Sequence, residues 1–522
     1  MTKKIASSDL IVGIDAGTSV IKAVAFTLDG QQVGVSARAN HYRTGDDGRA
    51  EQSLEQTWSD TADVLQSLCE EVEGLAARTV AIAVTGQGDG TWLIGPKGEP
   101  VGDAWLWLDS RAAATTAALA QSKGNAARFE ATGTGLNTCQ QGAQMAYMDH
   151  CCPEWLDRAE VAFHCKDWLY FQLTGVAATD PSEASFTFGN FRTRAYDSVV
   201  LEALGLDHRR SLLPPILEGT EQTHALTRAA AAATGLRVGT PVCLGYVDMV
   251  MSALGAGVHT GEAGTACSAI GSTGVHLKSC ADGDVLLNVD RTGYVICLPV
   301  PGQVTQVQTN MAATLNIDWL LALLAEFLGE FGQSVSGRDL IPRLDAWLSE
   351  TRPAELLYHP FISEAGERGP FVEARARAGF IGLSTRHGFK DMLRAVVDGM
   401  ALAAADCYAV MGDAPRELRL SGGAVQSPML RATLAAAVRA PVRICNRDEA
   451  GAAGCAMMAA VAIGAYPDME SCIADWVMPL LGERESPDAA LTQSYQSLLP
   501  AYQQARQGLM PVWAQLADIR GV

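Results

Sequence analysis

Short apolar runs, each stopped by a glycine-bearing turn, open the chain. Leu10-Ile11-Val12-Gly13-Ile14 reads as a buried strand and ends at Asp15-Ala16-Gly17-Thr18-Ser19. Val20 to Phe26 predicts a second strand, Leu28-Asp29-Gly30 a turn, and Gln32-Val33-Gly34-Val35 the start of a third. Val80-Ala81-Ile82-Ala83-Val84 is another strand-like run; it stops at Gly86-Gln87-Gly88-Asp89-Gly90, with an exposed-looking Trp92 beyond. A unit like the first appears in the second half. Gly264 to Ile270 leads into Gly271-Ser272-Thr273-Gly274, Val275-His276-Leu277 continues, and Asp282-Gly283 turns again. Its glycine tip lies 254 positions after the first (271 minus 17), which predicts a duplicated architecture.

Helical spacing appears over 125–132, 145–150, 156–173 and 389–410, and a helix opens near Val250. Residues 488–519 read as mostly helical, interrupted near Pro511. Strands mixed with helices in each half predict an α/β protein with helix-covered sheets. The halves meet near residues 250–260, with a ligand between them. The expected division is an N-terminal lobe over 1–255, a C-terminal lobe over 256–485 and a helical extension over 486–522.

Composition narrows the class. A chain of 522 residues with 48% hydrophobic content can build more than one sizeable core. The net charge of −19 disfavours nucleic acid and anionic lipid as partners. A strongly anionic substrate would need a local basic patch, and no run of basic residues supplies one. The 13 cysteines form no CxxC pair and no small disulfide framework; Cys151-Cys152 reads as inert, and the 9 histidines form no HExxH, so zinc is not expected. Lys3 and Lys4, followed by Ile5-Ala6-Ser7-Ser8-Asp9, lack the apolar core of a secretion signal, so a cytoplasmic location is expected. The Ala- and Gly-rich stretch from Ala450 to Tyr466 is short for a membrane span and reads as a tightly packed internal helix.

Four polar positions carry candidate chemistry. At the first hairpin, glycine lets backbone N–H groups approach a phosphate, Thr18 and Ser19 can donate to its oxygens, and Asp15 can hold magnesium. An ordinary turn fits the same residues, and no GxxxxGK[ST] is present. Gly271, Ser272 and Thr273 have the same content. Gly422-Gly423-Ala424 follows a strand-like run and would admit a flat ring. Asp248, between a strand and a helix start, can take a proton from a hydroxyl or simply cap the helix.

Taken in order, these elements resemble the FGGY carbohydrate kinases of the actin and sugar-kinase superfamily over nearly the whole chain. Ile14 to Ser19 with Lys22 resembles that family's phosphate hairpin, and Trp107-Leu108-Asp109-Ser110-Arg111 its tryptophan–aspartate–arginine element. Lys166-Asp167-Trp168 through Gly175, Thr179-Asp180 and Glu183-Ala184-Ser185 resemble the N-lobe signature. Glu367-Arg368-Gly369-Pro370, Ala378 to Leu383 and Asp391 to Gly399 resemble the C-lobe signature. The resemblance implies two ribonuclease-H-like lobes with an interlobe active-site cleft. It implies transfer of the γ-phosphate of ATP, with Mg2+, to a sugar or polyol. Asp248 becomes the base and Asp15 the metal-site acid. Gly17, Thr18, Ser19, Gly271, Ser272 and Thr273 line the phosphates, and Gly422, Gly423 and Ala424 border the adenosine. It allows a homodimer without requiring one.

The loop over 86–90 bears on the substrate. Xylulokinase-like members have Gly-Gln-Met-His-Gly there and glycerol kinases Asn-Gln-Arg-Glu-Thr; this chain has Gly86-Gln87-Gly88-Asp89-Gly90. Asp89 and Gln87 then read the hydroxyls of a small neutral polyol, the glycines clear space for it, Trp107 gives an apolar wall and Asn137 a polar contact. The loop and the Trp-Leu-Trp-Leu-Asp run most resemble erythritol-phosphorylating members. Xylulose, ribulose and glycerol are the neighbouring substrates, and a polyol-binding sensor without turnover is the non-enzyme alternative.

Overall fold

The computed structural model describes residues 6–258 and 264–520. The reading of Lys3, Lys4 and Ile5 against a secretion signal lies outside the described residues, as does part of the 250–260 junction.

The opening meander forms as its pattern predicts. Strand β1 (Leu10–Ala16) pairs antiparallel with β2 (Val20–Thr27), and β2 with β3 (Gln32–Ala39). On its other edge β1 pairs parallel with β4 (Thr79–Gly86), which pairs parallel with β5 (Pro241–Leu244). Central parallel strands are covered on both faces, which is why β1 and β4 are continuous apolar runs rather than alternating ones. The second half repeats this order. Strand β6 (Thr265–Ile270) pairs antiparallel with β7 (Gly274–Ala281), and β7 with β8 (Gln303–Asn310). Strand β6 also pairs parallel with β9 (Glu417–Ser421), and β9 with β10 (Val442–Ile444). Each core sheet therefore runs third–second–first–fourth–fifth. Short edge strands at His224–Ala225 and Tyr294–Cys297 bring both to six strands. The fold is α/β, with two ribonuclease-H-like lobes.

One helix crosses between the lobes, and a second lies at the seam where it crosses. Helix α1 (Asp248–Gly255) follows β5, yet Val250, Met251 and Leu254 share a core with Cys267 and Leu277 of the second sheet. Helix α2 (Ala450–Ala462) follows β10 but packs on β1 and β4 of the first sheet and along α1. The small residues of α2 make this approach feasible. A Cβ on Gly454 would lie 2.0 Å from the Met251 carbonyl oxygen, and one on Gly255 would lie 2.1 Å from that of Ala450. Gly454→Val is therefore expected to overpack this seam and lower stability by about 1–3 kcal/mol. Gly508, with open space around it in an exposed helix, is the control: Gly508→Ala should stabilise slightly. Equal thermal shifts for the two would count against the tight seam.

Three expectations are corrected. The apolar spacing over 156–173 is not one helix: Glu154–Arg158 is helical, Val161–Phe163 is a strand and Cys165–Thr174 is helical again. That strand pairs with Trp92–Ile94, so Trp92 is buried rather than exposed. The C-terminal helix runs unbroken over Ala489–Arg520 past Pro500 and Pro511. Tyr495, Tyr502 and Trp513 bury against the second lobe and hold the helix where local propensity would break it. All 13 cysteines are free thiols. Among the described residues no helix is long and apolar enough to cross a membrane.

Candidate active site

Strands β1, β4 and β5 are parallel neighbours, so their carboxyl ends share one edge of the sheet. That edge is where ligands bind in α/β sheets. Strand β1 delivers Asp15, which is in register with Thr85. Strand β4 delivers the loop over 86–90. Strand β5 leads through Gly245-Tyr246-Val247 into α1, whose first residue is Asp248.

The two acids keep a partial opening to solvent but lie deep in the cleft. Burial raises the Asp248 carboxyl to about 7; the charge of Asp15, and then Asp89, push the same way, against the Met249 N–H that it accepts at 2.7 Å. Burial also raises Asp15, to about 6, with Lys22 opposing and Glu449 adding to the shift. Lys22 and Glu449 form an ion pair at 2.7 Å between β2 and the residue before α2. Asp248 does not cap α1; the position before the helix is Val247, with no side-chain cap.

The predicted polyol and phosphate residues of the first lobe are wired together. Trp107 Nε1 donates to Thr18 Oγ1 at 2.8 Å, Thr18 donates to Gln87 Oε1 at 2.8 Å, and Gln87 Nε2 donates to Gln52 Oε1 at 2.8 Å. Gln52 donates to Asn40 Oδ1 at 2.5 Å, and Asn40 Nδ2 returns to the Gly17 carbonyl at 2.8 Å. The Thr18 proton is thus committed to Gln87, and donation to a phosphate requires that bond to break. Ser19 is exposed and Trp107 keeps a half-buried face. Trp107→Phe should free Thr18 and loosen Gln87, raising KM for the polyol about threefold to tenfold, as expected for one net hydrogen bond. An unchanged KM in steady-state assays would count against the chain of bonds.

Asp89 sits at φ +56, in the left-handed region that few side chains other than Asp and Asn tolerate. Its Oδ2 accepts from Cys139 Sγ at 3.4 Å and from Tyr294 OH at 3.3 Å, while its buried Oδ1 has no partner. Asn137 Nδ2 donates to the same Tyr294 oxygen at 3.2 Å. Burial raises the Asp89 carboxyl, and Cys139, His164 and Arg368 pull it back. The flanking glycines do not clear space. A Cβ on Gly88 would strike Val247 Cγ2 at 2.4 Å, and one on Gly90 the Trp105 carbonyl at 2.5 Å, so they let the loop lie flat on protein.

In the second lobe, Gly271, Ser272 and Thr273 form the exposed β6–β7 turn. The carbonyls of Gly271 and Ser272 accept from Thr314 and Ala313, at 3.0 and 2.7 Å. Gly422, at φ +98, lies against the end of β6: its Cβ would fall 2.4 Å from the Ile270 carbonyl. That contact sets the Gly422-Gly423-Ala424 loop beside the Gly271 turn.

Residues 10–255 match the N-terminal domain, and residues 264–463 the C-terminal domain, of the FGGY family of carbohydrate kinases. The chain belongs to that family. It is an ATP-dependent carbohydrate kinase. Among FGGY relatives, the erythritol kinase of Brucella abortus (strain 2308) is 64% identical over 510 residues, covering 98% of each chain. The xylulose kinase of Escherichia coli (strain K12) is 27% identical, over 97% of this chain and all of that one. The solved gluconate kinase from Lactobacillus acidophilus superposes with a TM-score of 0.87 at 20% identity, over 97% of this chain and 99% of that one. Its likeness concerns the fold alone.

Several residues of this FGGY site were not singled out from sequence as site residues: Gln52, Asn40, Cys139, Tyr294 and Glu449. Tyr294 follows Gly293 on an edge strand, and Glu449 precedes the small-residue helix; neither setting marks chemistry without the fold. Glu183 and His164 form a buried pair at 3.4 Å beside Gly88, with Lys166, Asp167 and Asp180 near them. Burial alone would lower the Lys166 ammonium, but Asp167, Asp180 and Glu183 outweigh it and hold it raised.

Proposed function

We propose that this FGGY kinase phosphorylates erythritol on a terminal hydroxyl, with Asp248 as the base that takes the hydroxyl proton. The whole-length relationship to an erythritol kinase, 64% identical with 98% of each chain covered, carries the substrate reading. The unpartnered, buried Asp89 Oδ1 beside Asp248 supports it, because a neutral polyol offers hydroxyl donors to such an oxygen.

A carboxylate with a pKa of about 7 is well matched to proton abstraction near neutral pH. Asp89 accepts from the hydroxyls remote from the reacting one, and Asn137, through Tyr294, holds Asp89. Trp107 faces the carbon chain, and Gln87 with Thr18 fixes that wall to the phosphate hairpin. Gly17, Ser19, Gly271, Ser272 and Thr273 receive the phosphates through backbone N–H groups and hydroxyls. Gly422, Gly423 and Ala424 border the adenosine. Asp15 fits a magnesium ion, which commonly binds through one or two carboxylates with water and substrate phosphates completing its shell. Its carboxyl, raised to about 6 by burial, would be relieved by a cation. When bound, the ion neutralises charge developing on the transferred phosphoryl group.

ADP release measured over erythritol, xylulose, ribulose and glycerol tests the assignment. Erythritol should give the highest kcat/KM. Strong turnover of xylulose with none of erythritol would overturn it, and binding without ADP release would establish a sensor instead.

A further inference from the structure

No run of basic residues is visible along the chain, but the fold assembles a basic cavity. Arg416, Arg419, Arg443 and Arg484 converge with Glu417 and Glu470 on a cavity of about 750 Å³. Ile473, Ala474 and Met478 form an apolar wall. Among the described lining residues, four arginines against two glutamates leave a formal +2, in a chain whose net charge is −19. The cavity opens where β6 and β9 begin, whereas Gly271 and Gly422 stand where those strands end. A strand of 6 residues, at about 3.3 Å each, separates the two regions by roughly 17–20 Å.

Among the described residues the cations are not all neutralised. Glu417 serves two of them, Arg419 Nε at 3.2 Å and Arg484 Nε at 3.7 Å. Among the described residues Arg443 donates only to carbonyls, those of Gly482 at 2.8 Å and Leu481 at 3.4 Å. The Arg416 side chain is exposed and makes no hydrogen bond or ion pair among the described residues. Guanidinium forks match phosphate oxygens two by two. The volume lies in the range of small-metabolite sites, and the apolar wall suits a short carbon body.

The cavity also touches the catalytic machinery indirectly. Arg419 Nη1 donates to the Gly257 carbonyl, just beyond the end of α1, whose first residue is Asp248. Gly257, at φ +77, thus places the backbone that leaves α1 against the Arg419 guanidinium. An anion that draws Arg419 into the cavity releases the carbonyl and shifts the end of α1.

We propose that this cavity is a regulatory site for a small organic phosphate ester, held by Arg416 and Arg443 and coupled to the catalytic cleft through Arg419 and α1. The regulatory effect rests on the kinase reading; the binding does not. The test uses the full chain with saturating erythritol and Mg·ADP to fill the cleft. Glycerol 3-phosphate and inorganic phosphate are titrated by calorimetry. Wild type should bind glycerol 3-phosphate at one site, more tightly than inorganic phosphate. Arg416→Glu, at a side chain with no bond among the described residues, should fold normally, keep wild-type kcat without ester, and weaken binding about tenfold or more. Arg443→Lys, which keeps the charge but loses the fork, should weaken it less. Initial rates at saturating ATP and erythritol should respond to glycerol 3-phosphate in wild type and not in Arg416→Glu. No binding to wild type, or binding unchanged in both variants, would overturn the site. Equal affinity for inorganic phosphate would overturn the ester. A rate unaffected by bound ester would overturn the coupling. Intact ester binding without erythritol turnover would count against the substrate assignment alone.

Discussion

Asp248→Asn should lower kcat by about 10²–10⁴, the usual worth of a positioned general base, and leave the dissociation constant for ATP unchanged. The same substitution should stabilise the protein in neutral and alkaline buffer. The wild-type carboxyl is raised in the folded state from an ordinary 3.8 to about 7. A raised acid binds its proton more tightly folded than unfolded, so the folded state is favoured at low pH. That advantage is lost as pH climbs from the ordinary value through about 7, and above this the charge is buried at a cost of at most about 4 kcal/mol. Asparagine carries no such charge while its oxygen can still accept the Met249 N–H. The melting temperature of the variant should therefore exceed wild type at pH 8.5, and the gap should narrow steadily toward pH 5.5. Thermal unfolding across that range, in ligand-free buffer, reads the effect. A kcat within a few-fold of wild type would remove Asp248 from the base role, and a pH-independent gap would remove the buried-charge account.

Asp89 should behave differently. Asp89→Asn tolerates the left-handed backbone but loses the anionic acceptor. A hydrogen bond to a charged group is worth about 1.5–3 kcal/mol, so KM for erythritol should rise about tenfold to a hundredfold. KM for ATP should stay put, because among the described residues the Asp89 carboxyl bonds Cys139 and Tyr294 and none of the residues expected to line the phosphates or the adenosine. Asp89→Gly removes the side chain and relieves the φ of +56. It should bring a similar rise in KM with no loss of stability. Steady-state kinetics on both variants decide the matter: equal changes in the two KM values would reduce the loop to a structural turn.

What could be read from the chain alone follows the range of each interaction. Asp15 and Asp248 end or follow apolar runs, and strand ends are marked locally by where hydrophobicity stops. Parallel pairing then brings the ends together without further instruction. The environment of Asp89 was not legible. Its contact with Tyr294 spans 205 positions, and nothing near either residue points to the other. The purpose of Gly88 is not legible in the chain, because a missing side chain looks the same whether ligand or Val247 fills the space. The run over 156–173 is ambiguous because its apolar spacing serves a strand and two helices equally well. The basic cavity was invisible because its arginines are spread from 416 to 484 and gather only when β6, β9 and β10 align.

The crossing of α2 onto the first sheet, against α1, makes the lobes a linked pair rather than two beads on a string. A chain severed in the stretch between Val258 and Gly264 would give an N-terminal fragment whose β1 and β4 lack the helix that covers them. The C-terminal fragment would carry that helix with nothing to cover. Each piece expressed alone should be insoluble, and the two made together should find one another, because each completes the other's interior. The unit of inheritance in this architecture is therefore not the lobe. A chimera spliced at the lobe boundary must import the partner's crossing helix or leave the first sheet bare.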